Sequence, residues 1–192
     1  QEKNLTRPWH LIAHSLGCLL GLRRLILNPQ CFSKYLFLSP LWGNVRSLPI
    51  PIQRLLTGCE KILWFLWLTK ITNQKAKNYK PYSLTVEFKE NKLTSDKKQF
   101  DRLQAILREN TELHSGAPTL GYLIAILKEI KALNLVNLPE CQILVLLAGQ
   151  ELITDNDAVL QFIKKHDFIV IEKIESAQHE ILIEKEEIRG EA

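Results

Sequence analysis

Two kinds of apolar pattern alternate along the chain. Short, compact apolar runs occur at Trp9–Ala13, Tyr35–Ser39, Ile143–Ala148 and Phe168–Ile171. They show no polar alternation, which predicts strands buried on both faces, as in parallel sheets. Between them, apolar residues recur at helical spacing. Leu19, Leu20, Leu22, Leu25 and Ile26 mark a helix over Gly17–Leu27, closed by Asn28-Pro29. Val159, Phe162 and Ile163 mark the inner face of another, which Asp155 or Asn156 can cap. Strand, helix, strand with a crossover of this length implies a parallel pair.

The pattern changes between Leu41 and Leu138, where no comparable strand occurs. Residues 50–71 are densely apolar and read as helix. Lys70–Lys80 is polar and basic, and reads as loop. Thr94 or Ser95 can cap a helix running to Asn110, with Phe100, Leu103, Ile106 and Leu107 on one face. Pro118 suits a first helical turn, and Leu120, Leu123, Ile124, Leu127 and Ile130 follow at helical spacing. The expected division is a sheet core from residues 1–42 and 139–192, with residues 43–138 inserted as a helical cap or lid. Such a cap would cover the sheet's carboxyl edge, where ligands of open α/β sheets bind.

With 192 residues, 46% of them hydrophobic, the chain can bury one substantial core. A net charge of +4 without a basic-aromatic stripe gives no reason to expect nucleic acid. Cys18, Cys31, Cys59 and Cys141 are widely spaced, which argues against a disulfide framework or zinc site and for a reducing compartment. No signal peptide is visible, and the run Ile62–Leu68 falls far short of the ~20 residues of a membrane span. Both ends read as cut, so a piece of a longer chain is expected.

Candidate chemistry begins at Ala13-His14-Ser15-Leu16-Gly17. A serine between a buried strand and a helix, flanked by small residues, has the context of a nucleophile elbow. The turn would expose the Ser15 hydroxyl and place the Leu16 backbone N–H as an oxyanion donor. Acyl transfer by serine needs a base and an acid to orient it. His179 follows the last strand and Glu151 follows Ile143–Ala148; Asp155 is the alternative acid, with helix capping as its competing role. His14 should point away from the Ser15 hydroxyl. His166, in a helix's last turn, suits the helix dipole. Trp42, Trp64, Phe65 and Trp67 are candidate walls of an acyl pocket. No metal spacing or phosphate loop is present in the sequence, and no cofactor is expected.

These segments resemble the bacterial lysophospholipases of the monoacylglycerol-lipase-like group of α/β hydrolases. The resemblance runs through Ala13–Gly17, Leu38–Gly43, Gly116–Thr119, Leu147–Asn156 and Ala177–Lys185, in order. It implies an α/β-hydrolase fold and a Ser15–His179–Glu151 triad, with Glu151 where Asp is more usual. It also implies a lipid ester substrate. The apolar stretch around Trp64–Trp67, with its basic neighbours, is a candidate membrane-touching surface of the cap, and the expected location is cytoplasmic, with peripheral contact at the inner membrane as a further candidate. The strand whose loop carries the second oxyanion donor of that group has no counterpart in residues 1–8. The competing expectations are a truncated, non-catalytic module that binds lipid or a partner, and a thioesterase or acyltransferase with the same triad.

Overall fold

The computed structural model describes residues 6–43, 49–58, 80–114 and 118–192. Among these, four parallel strands lie in chain order: β1 (His10–His14), β2 (Lys34–Leu38), β3 (Gln142–Ala148) and β4 (Ile169–Ile174). Ala13, Phe37, Val145 and Ile171 form one row across the sheet. All four strands therefore end at the same edge, and the loops leaving them meet there.

Side chains alternate between the sheet faces. Tyr35, Phe37, Val145 and Leu147 point to one face, where α1 (Leu16–Leu27) contributes Leu19, Leu22 and Leu25 to the main core. Each such side chain, fully buried, contributes roughly 1.5–3 kcal/mol. Gly21 lets α1 cross the sheet closely, since a Cβ there would come within 2.6 Å of the Phe37 ring and 2.9 Å of Leu11. Leu38, Leu146, Ala148 and Ile174 point to the other face and pack on Ala177, Ile181 and Ile188.

β1 differs from expectation. It is a sheet edge among the described residues, and Ile12 is 64% exposed rather than buried. The lower part of that face, with Leu36, Leu144 and Val170, lines an open apolar hollow.

Between β2 and β3 come α2 (Ile50–Gly58), α3 (Lys97–Glu109) and α4 (Leu120–Leu133). α3 is capped by Asp96, whose side chain accepts the Lys98 and Gln99 N–H groups, rather than by Thr94 or Ser95. α4 is capped by Thr119, so Pro118 precedes the cap. α4 packs on the main core, and its Glu129 binds Arg23 of α1, whose Nη2 donates at 2.7 Å. α5 (Asn156–Ile163) follows β3. After β4 come a 3-10 turn, Ile181–Ile183, and α6 (Glu186–Arg189).

Candidate active site

Ser15 joins β1 to α1 in a strained conformation, φ 51° and ψ −117°. Non-glycine residues rarely take positive φ, and such strain persists only where the surroundings fix it. Here the Ser15 N–H donates to the Leu38 carbonyl at 2.9 Å, and the Ser15 carbonyl accepts from Cys18 and Leu41 N–H, each at 3.1 Å. Beneath the turn the Cys18 thiol faces the carbonyls of Ala13 (3.2 Å) and Leu38 (3.4 Å). Burial pushes that thiol up to about 12, so it stays neutral and unreactive. Gly17 is less constrained than expected, since a Cβ there would meet only Ala13 at an ordinary 3.7 Å. Leu16 opens α1, so its N–H belongs to the first turn, whose amides lack intrahelical acceptors.

Glu151 lies three residues beyond β3. Gly149 makes that turn possible, because a Cβ there would collide with the Glu175 backbone. The Gly149 N–H donates to the Ile174 carbonyl and the Gln150 N–H to the Ala177 carbonyl, tying this turn to the loop after β4. That loop carries His179. Its Nδ1 is 2.8 Å from Glu151 Oε2, and both side chains are almost wholly buried. Glu151 Oε1 accepts the Ile153 and Thr154 N–H groups at 2.7 and 3.1 Å. Burial alone would raise the Glu151 carboxyl. The His179 hydrogen bond and charge, with those two amides, outweigh it and hold the carboxyl below its ordinary value. An ionised Glu151 accepts Nδ1–H, the tautomer that leaves the His179 Nε2 lone pair available as a base.

Asp155 instead caps α5, accepting the Ala158 N–H at 3.2 Å. His14 projects toward His179: the rings lie 4.7 Å apart, edge to face, and His14 Nε2 is 3.0 Å from the His179 carbonyl. The Ser39 hydroxyl donates to the same carbonyl at 2.7 Å. Ser39, fully buried with φ 43°, ends β2 as Ser15 ends β1. Sequence reasoning read Ser39 only as a strand end; the visible signal was a polar residue closing an apolar run before Pro40.

Two expectations need correction. Trp42 is 2% exposed and packs in the core between Phe37 and Phe162, ring centroids 5.2 and 5.3 Å away, so it is not an acyl-pocket wall. His166 is governed by burial rather than the helix dipole. It lies beyond α5 with rings of Phe162 and Phe168 beside it, and burial lowers its pKa. Trp64, Phe65 and Trp67 lie outside the described residues. None of the described helices is long and apolar enough to cross a membrane.

A parallel sheet with a strained serine after β1, a buried carboxylate after β3 and a histidine after β4 has the architecture of the α/β-hydrolase fold. Solved structures share that fold. The chain superposes on monoglyceride lipase from Saccharomyces cerevisiae with a TM-score of 0.66 at 14% identity, covering 96% of this chain and 61% of that one. Monoacylglycerol lipase from Paleococcus ferrophilus gives a TM-score of 0.66 at 18% identity, covering 94% and 63%. In sequence the chain is similar to the probable lysophospholipase L2 of Haemophilus influenzae, 28% identical over 183 residues. That match covers 94% of this chain but spans only about half the relative, 55% of its length. No family model matches the chain. The likeness is to the lysophospholipase and monoglyceride-lipase-like group of α/β hydrolases.

Proposed function

We propose that the chain carries the triad of a serine ester hydrolase that removes the acyl chain from lysophospholipid or monoacylglycerol. The observation that supports this most is the buried His179–Glu151 hydrogen bond at the sheet edge where Ser15 turns. In this reading the Ser15 hydroxyl attacks the ester carbonyl and its proton passes to His179 Nε2. The carbonyl oxygen becomes an oxyanion against the Leu16 N–H. His179 then protonates the leaving alcohol oxygen as the acyl C–O bond breaks, leaving an acyl-Ser15 ester. Water attacks that ester while His179 takes its proton; the acyl C–Oγ bond then breaks, His179 returns the proton to the Ser15 oxygen, and the fatty acid departs. Glu151 stays ionised throughout, orienting His179 and stabilising its charged form.

Within residues 43–138, the part before α4 acts as a cap over the edge, and its place between β2 and β3 supports this, while α4 itself packs on the main core. The lipid is met at a membrane surface on the cytoplasmic side rather than through a membrane span. The names of the similar proteins point to lysophospholipid and monoglyceride as the substrates to try first. The test is fatty-acid release from lysophosphatidylcholine, monoolein and an acyl thioester by the parent chain, Ser15→Ala and His179→Ala. The reading requires release from the oxygen esters, reduced about 10⁴-fold or more in both variants. Turnover of the thioester alone would move the reading to a thioesterase. Undiminished release by both variants would end the triad assignment.

A further inference from the structure

A second buried carboxylate stands behind the histidine. Glu184 is fully buried, directly after the Ile181–Ile183 turn. Its Oε1 accepts the Gln178 N–H at 2.8 Å and the Ser95 N–H at 3.0 Å. Its Oε2 accepts the Ser95 N–H at 2.9 Å and the Ser95 hydroxyl at 2.6 Å, with the Thr94 hydroxyl 3.3 Å away. A carboxylate removed from water is tolerated only where hydrogen bonds replace its hydration, and charge-assisted bonds of this kind are the stronger ones.

The two segments it joins matter more than their number of bonds. Gln178 immediately precedes His179. Ser95 lies in the inserted segment, just before the Asp96 cap of α3. The same segments are stitched again on either side. The Glu180 N–H donates to the Leu93 carbonyl at 2.8 Å, and the Thr94 hydroxyl donates to the Ile183 carbonyl at 2.7 Å. The inserted turn is itself pre-shaped. Asn91 Oδ1 accepts the Leu93 and Thr94 N–H groups, and Thr94 Oγ1 accepts the Asp96 N–H. His179 is thus held from the sheet by Ser39, His14 and Glu151, and from the inserted segment through Glu184.

We propose that Glu184 is a positioning residue that couples the Asn91–Asp96 turn of the inserted segment to His179, so that the base is in register only while that turn is docked. This rests on the reading of His179 as general base. The coupling passes through the Gln178 N–H, one residue from the base. A displacement of about 1 Å at a reacting group can cost about 100-fold in rate.

The experiment compares the parent chain with Glu184→Gln, Glu184→Asp and Ser95→Ala. It reads the His179 ring resonances by NMR and the rate of Ser15 phosphonylation by a fluorophosphonate probe. The Gln amide removes the charge and puts an NH2 where one oxygen accepts the Ser95 N–H and hydroxyl, or where the other accepts the Gln178 and Ser95 N–H groups. Glu184→Gln is expected to shift the His179 resonances and slow phosphonylation about 10- to 100-fold, while the Val145 and Leu147 amides stay in place. Glu184→Asp, which keeps the charge, should recover part of the rate. Ser95→Ala should act in the same direction, and its effect should be less than additive with Glu184→Gln because both break one network. Unchanged His179 resonances in Glu184→Gln overturn the proposal. If Glu184→Gln does not fold, Ser95→Ala decides by the same criterion. Absence of labelling in the parent chain would count against the catalytic reading alone, because the His179 resonances still test the coupling.

Discussion

His179 Nδ1 lies 2.8 Å from Oε2 of Glu151, and the other Glu151 oxygen is filled by the Ile153 and Thr154 amides. The carboxylate therefore has one orientation, and it fixes the tautomer and plane of the imidazole. Asp155, four residues on, bonds the first turn of α5 instead. The two carboxylates that compete in sequence have different work in the fold.

Glu151→Gln and Asp155→Ala should separate those roles. A glutamine can turn its N–H toward Nδ1 and favour the wrong tautomer, so ester turnover should fall about 10³- to 10⁴-fold. Asp155→Ala should leave turnover within a few-fold of the parent and cost about 1 kcal/mol of stability through the lost cap. Steady-state kinetics and urea unfolding on each variant check this. The reverse ranking would transfer the acid role to Asp155.

Acid should weaken the fold through Glu151. Its carboxyl is held below the ordinary value of 4.5 in the folded chain. A folded value lower than the unfolded one means that the ionised form favours folding. That contribution is complete above the unfolded value and is lost as pH falls through the folded one. Urea midpoints should therefore drop more steeply below about pH 4.5 in the parent than in Glu151→Gln. Parallel curves would show that the carboxylate adds nothing to this dependence.

Gly149→Ala should be among the more damaging single-methyl changes. The added Cβ meets the backbone of Glu175, which lies on the loop that carries His179 and has no flexible end to give way. A destabilisation of about 1–3 kcal/mol is expected from overpacking, with a loss of turnover beyond what stability explains. Gly17→Ala, whose Cβ finds ordinary contact, should cost much less; comparable thermal shifts in the two would contradict the packing described here.

The strands and the helices flanking them were legible because a two-sided parallel sheet imposes unbroken apolar runs and its crossovers impose helical spacing. Ser15, Glu151 and His179 were legible as candidates because each follows such a run. What joins them was not. Ser39 and Glu184 act through backbone groups of the His179 loop, and hydrogen bonds between distant segments leave no periodicity in sequence. Trp42 misled for the opposite reason. A tryptophan in a loop beside a candidate site looks like a pocket wall, yet the chain folds it back between Phe37 and Phe162. The exposure of Ile12 does not show in its apolar run, which does not say whether a strand is central or at an edge; the hint lay in the lack of a preceding strand in residues 1–8.

Fluorophosphonate labelling of this 192-residue chain, with mass-spectrometric mapping of the adduct, tests the triad most directly. Ser15 should carry the label, and heat denaturation or His179→Ala should abolish it. A folded chain that takes no label at Ser15, or that labels equally well without His179, would contradict the assignment of Ser15 and His179 as nucleophile and base.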